Sequence, residues 1–165
     1  MKFNHYQFLL ENVFKDQAED GSPLPKFDEI LPDKLPPLVL AYVGDAFFSL
    51  FVRTKLLAFE QNQVRILHSL GAKMVSAGYQ AAALKSIEGM LSNAERELVR
   101  RGRNTKSSPT KNASVHDYRY STGLETLLGY LFLSGHEERL DEVSTALFQF
   151  ISREMTNKDK NCGDK

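Results

Sequence analysis

Two carboxylates draw attention because their neighbours are wrong for a charge. Asp45 lies midway along residues 35–57 (LPPLVLAYVGDAFFSLFVRTKLL), where almost every side chain from Leu38 to Val52 is apolar. Glu125 is the only charge in residues 120–133 (YSTGLETLLGYLFL). An ionised carboxylate in such company is costly unless a cation, a metal or hydrogen-bond donors meet it. Gly44 precedes Asp45, and Gly129 follows Glu125 by one turn. Each glycine costs a helix about 1 kcal/mol relative to alanine, so close packing or chemistry must keep it. Two carboxylates that meet in space repel unless a cation separates them. Mg²⁺ suits such a pair, since it takes one or two carboxylates and keeps several waters. A metal-bound water of lowered pKa, beside positive charge, points to phosphodiester hydrolysis.

The positive charge is concentrated in residues 100–117 (RRGRNTKSSPTKNASVHD). Arg100, Arg101, Arg103, Lys106 and Lys111 meet no acid before Asp117, and Arg119 follows. The segment has two readings: a solvated surface loop, or a phosphate-backbone contact with Ser, Thr and Asn adding hydrogen bonds. Glu125 also has a purely structural reading, because Thr122 to Glu125 matches an S/T-x-x-E capping box. His68 could ligate a metal or phosphate, although a lone histidine on an apolar face is more often a hydrogen-bonded core residue.

Helices must position these groups. Residues 35–57 read as a helix entered through Pro36 and Pro37, buried on nearly all sides, and too short in its apolar run to span a bilayer. Residues 62–70 and 72–87 read as two helices broken near Gly71, the second with an alanine-rich face suited to close approach. Ser92 to Glu95 form a capping box that opens a short helix closed by Gly102. Residues 120–133 read as a second buried helix, and residues 137–155 as an amphipathic one. Residues 1–33 form an arm with seven acidic groups against three lysines, containing an amphipathic helix at 4–14, a linker at 16–25 and a short turn at 27–31. Residues 34–156 form one domain, and residues 157–165 a disordered polar tail. The composition is that of an ordinary soluble domain, 42% hydrophobic and 25% charged with net charge zero. One cysteine and no signal-peptide pattern predict a cytoplasmic protein without a membrane partner.

The stretch LAYVGDA at residues 40–46 resembles the signature of ribonuclease III catalytic domains. Further segments resemble the Mini-ribonuclease III branch, which lacks a double-stranded-RNA-binding domain: Leu67 and His68, Val75 to Ala77, Gln80 and Ala81, Arg101 to Asn104, and Tyr118 to Glu125. The resemblance covers about residues 34–140. It implies an all-α, homodimeric, Mg²⁺-dependent endonuclease of double-stranded RNA that trims precursor 23S ribosomal RNA, with a ribosomal protein or particle as a further contact. Asp45 and Glu125 fall on the family's catalytic and metal-binding positions. Ala41, Leu38 and Thr122 stand where full-length ribonuclease III has acids, so water and RNA phosphate must supply more of the metal's ligands. The resemblance makes Arg101, Arg103, Asn104, Lys106 and Lys111 the RNA-binding candidates. Two alternatives compete with an active hydrolase. One is a catalytically silent duplex-RNA-binding or ribosome-assembly factor on the same fold. The other is a helical dimerisation protein. Tyr42, Phe47, Phe48 and Phe51 are candidates for a dimer interface or for the core.

Overall fold

A helix can be buried on most sides only if its polar side chains find partners without leaving it. Helix α6 (Val115–Leu133) does this in a computed structural model that describes residues 4–13, 15, 17, 19–23, 29–105 and 114–163, with side chains described to residue 157. Ser121 and Thr122 donate to the Tyr118 carbonyl (3.0 and 2.9 Å), and Thr126 donates to the Thr122 carbonyl at 2.7 Å. These back-bonds hide the hydroxyls, so Leu124, Leu127, Leu128 and Leu131 can carry the helix through the core.

Around α6 stand α2 (Pro37–Leu56), α4 (Ala77–Ile87), α5 (Asn93–Arg103) and α7 (Glu137–Gly163), while α3 (Val64–Met74) packs on α2 and α4. The chain divides into two units, Met1–Ile30 and Leu31–Lys165. The first holds α1 (His5–Asn12), capped by Asn4, and an isolated antiparallel bridge between Gln17 and Pro23. Among the described residues there is no strand, and the second unit is all-α as expected.

Several expectations need correction. Helix α2 is not buried on nearly all sides. It buries one stripe (Leu40, Gly44, Phe48, Val52 and Leu56, four residues apart) and exposes Val39, Tyr42 and Leu50. It has the 20 residues a bilayer core requires, but that buried stripe is pressed against α6 and Asp45 breaks the rest. The break expected at Gly71 falls at Val75 and Ser76, because Gly71 is buried inside α3 near Leu56. Residues 29–31 are not helical, and a 3₁₀ turn occupies Pro32–Lys34. Gly102 does not end α5, which Asn104 caps. Within the helix, Gly102 lets α5 approach the backbone at Gly123. Phe132, expected to be buried, is half exposed, and α7 continues through Gly163 where a disordered tail was expected.

The capping box at Ser92 and Glu95 forms as expected, with both reciprocal hydrogen bonds present. Glu95 is also gripped by Arg139 of α7, whose guanidinium reaches both carboxylate oxygens (2.8 and 2.9 Å) and the Met90 carbonyl. The Arg139 hydrogen bonds hold the Glu95 carboxyl at about 2, far below its ordinary range. A depressed carboxylate pKa stabilises the fold above the ordinary value, here by about 3 kcal/mol, and the contribution is lost as pH falls from there towards 2. Arg139→Met should therefore lower stability by about that amount at pH 7. Chemical denaturation at pH 7 and pH 3 should show the gap narrowing in acid.

Candidate active site

Asp45 and Glu125 come together because two helices touch backbone to backbone. A Cβ at Gly44 would collide with the Glu125 carbonyl, and one at Gly129 would collide with the Leu40 carbonyl. No other residue allows this crossing of α2 and α6. It places Asp45, the next residue on α2, on the same cleft as the Glu125 side chain. That cleft encloses about 350 Å³ and is also lined by Tyr42, Ala77, Tyr118 and Ser121.

The two carboxylates differ in setting. Asp45 is exposed, whereas Glu125 is half-buried on the α6 wall. Burial, and then the charge of Asp45, push the Glu125 carboxyl up to about 7, while a hydrogen bond from the Gln80 side chain pulls the other way. The capping-box explanation of Glu125 fails. Helix α6 starts seven residues before Thr122, with Ser114 as its N-cap, and the Thr122 hydroxyl bonds to Tyr118.

The arrangement can hold a hard divalent cation. Its donors are carboxylate oxygens, and their mutual repulsion is what a positive ion would relieve. Among the described residues no third His, Cys, Asp or Glu joins the pair to complete a cage. Water and phosphate oxygens would have to fill the remaining positions, which suits Mg²⁺.

The basic residues do not form one patch. Arg100 is paired with Glu97 at 2.6 Å. Arg101 turns to a separate cleft lined by Asp33, Glu97, Tyr130 and Arg139. Arg103 lies 3.8 Å over the Tyr120 ring. Asn104 is exposed at the end of α5, and Lys106 and Lys111 lie outside the described residues. Sequence reading missed the company Arg103 keeps. Lys85 of α4 sits 4.8 Å from the same ring, and His116 stacks on it at 4.4 Å. Gln80, quoted only among the segments of the resemblance, was given no role there; it is a lone amide on the alanine-rich face of α4. His68 is exposed, so the core-histidine reading fails.

Comparison with known proteins identifies the family. The Ribonuclease III domain family matches residues 38–136. A Mini-ribonuclease 3 of Thermoanaerobacter is 48% identical over 71% of this chain and 83% of its own length. The Mini-ribonuclease 3 of Symbiobacterium thermophilum is 46% identical over 74% and 95%. A crystal structure of a Fusobacterium nucleatum protein superposes with a TM-score of 0.64 at 28% identity, covering 70% of this chain and 93% of that one. The signature around Asp45, the all-α bundle and these likenesses converge: the chain belongs to the ribonuclease III family and is an endoribonuclease.

Proposed function

We propose that the chain is a Mg²⁺-dependent endonuclease that hydrolyses double-stranded RNA, with Asp45 and Glu125 as its metal-binding and catalytic residues. In the cytoplasm it would mature the base-paired ends of precursor 23S ribosomal RNA, in contact with a ribosomal protein or particle. The carrying observation is the α2–α6 crossing, which sets two mutually repelling carboxylates on one cleft. When bound there, Mg²⁺ supplies a water of lowered pKa and stabilises charge developing on phosphate. Exposed Asp45 offers its oxygens from the open side, and Glu125 from a half-buried wall that limits competing water. Family membership favours this hydrolase over the catalytically silent alternative. The test is cleavage of a plain RNA duplex with Mg²⁺, against a chelated control and a single-stranded RNA. Duplex cutting that stops on chelation is expected, and duplex binding without cleavage would restore the silent reading.

Arg101, Arg103, Asn104, Lys106 and Lys111 are proposed as RNA contacts, with Lys85 and His116 beside Arg103. A-form RNA hides its base edges in a deep major groove, so these groups would read backbone and shape. Replacing Arg101, Arg103, Lys106 and Lys111 with Ala should weaken binding to many duplexes alike. Each lost phosphate contact should flatten the log–log salt slope by about 0.7–0.9. Unchanged affinity and slope would mark a solvated connection.

A two-fold dimer would place two such sites on opposite strands. Phe48, a sequence candidate for that interface, is wholly buried in the core, and Phe51 packs with Phe148. The outward stripe of α2 favours the dimer better: Val39, Leu50 and Leu57 are exposed, and Phe47 meets half-exposed Phe132 at 5.6 Å. Leu50→Arg should halve the mass seen by light scattering, and an unchanged mass would exclude this stripe.

A further inference from the structure

Gln80 is buried at 1% exposure behind the cleft, and nothing in the reaction requires an amide inside the protein. Its Nε2 donates to the Val75 carbonyl at 2.8 Å, where α3 ends, and the same amide lies beside Glu125 on α6, where it works against the rise of that carboxyl's pKa. Both neighbours are acceptors, so it is the NH₂ end that faces them. The Oε1 atom is left buried without a partner. An unpaired buried oxygen costs free energy that an apolar side chain of equal size would not. The amide is therefore kept despite the core and not for it. What it supplies is a strut. One N–H is fixed to backbone at the α3–α4 bend, and the same NH₂ group is turned to the carboxylate of a side chain with three rotatable bonds.

Resting on the reading of Asp45 and Glu125 as cation ligands, we infer that Gln80 is a positioning residue. It holds Glu125 in the orientation that shares a divalent cation with Asp45. A carboxylate left free to swing would have to be ordered on each binding event, and outer partners of metal ligands are typically worth about 10- to 100-fold in affinity. Gln80 acts through Glu125 and touches neither metal nor RNA.

The test is calorimetric titration of the full chain with Mn²⁺ alone, paired with thermal melts. Wild type should bind, and Asp45→Asn should not. Gln80→Met keeps the volume and removes both the strut and the orphan oxygen. It should bind about 10- to 100-fold more weakly while melting close to wild type. A purely structural glutamine predicts the reverse, a changed melt with unchanged affinity, and that result overturns the inference. If Gln80→Met does not fold, Gln80→Asn, whose amide stops a methylene short of Glu125, carries the same expectation. Failure of wild type to bind, or indifference to Asp45→Asn, would overturn the reading of the site itself. Loss in Asp45→Asn with normal binding in Gln80→Met would overturn only the role of Gln80.

Discussion

Asp45→Asn and Glu125→Gln are each expected to reduce duplex-RNA cleavage about a thousandfold, while the protein still folds and binds RNA. A bound cation contributes several kilocalories per mole to charge stabilisation in phosphoryl chemistry, and about 4 kcal/mol is a thousandfold in rate. Both amides keep the shape and remove the charge that holds the ion. Asp45 is exposed, so its substitution leaves packing alone. Glu125→Gln removes a half-buried charge whose burial and nearness to Asp45 push it up to about 7, so its melting temperature should hold or rise. Single-turnover cleavage with parallel melts measures both effects. Near-normal cleavage by Glu125→Gln would remove Glu125 from the chemistry.

Gly44→Ala should be, with Gly129→Ala, the most damaging added methyl among the described glycines. Its Cβ would drive into the Glu125 carbonyl, and α2 and α6 would have to separate. Overpacking of a rigid contact costs about 3 kcal/mol or more when backbone cannot yield. A shift of about 1 Å between the two carboxylates should cost a further hundredfold in cleavage. Gly78 supplies the control. It is exposed on α4, and a methyl added there would meet nothing within 4 Å, so Gly78→Ala should stabilise by up to about 1 kcal/mol with activity intact. Equal effects of the two substitutions would mean that the crossing is not backbone-limited.

Much of the site was legible because its cost was visible. A charge and a glycine inside each of two apolar helices are locally unfavourable, and Gly44 with Asp45 and Gly129 with Glu125 turned out to share one crossing. What sequence could not supply was which helix is central. Apolar composition pointed to α2, yet α6 holds that place, because Ser121, Thr122 and Thr126 satisfy their hydroxyls on their own backbone and are as buried as leucines. The surplus apolar residues of α2 face outward. Gly71 and Gly102 were read as helix breakers, but each is a small residue at a helix contact, a distinction that needs the neighbour's position. Gln80 stood out only as part of the resemblance, and its place beside Glu125 needed α6 to be seen. The basic segment was legible as charge only. Pairing with Glu97 and stacking on Tyr120 divide its arginines among different surfaces.

Whether Asp45 and Glu125 together hold the divalent cation can be read from the anomalous diffraction of crystals soaked in Mn²⁺. A peak is expected in the cleft between α2 and α6, within about 2.2 Å of an oxygen of one carboxylate and no more than one water from the other. A peak touching neither residue, or none in crystals of protein that cleaves duplex RNA, would contradict it.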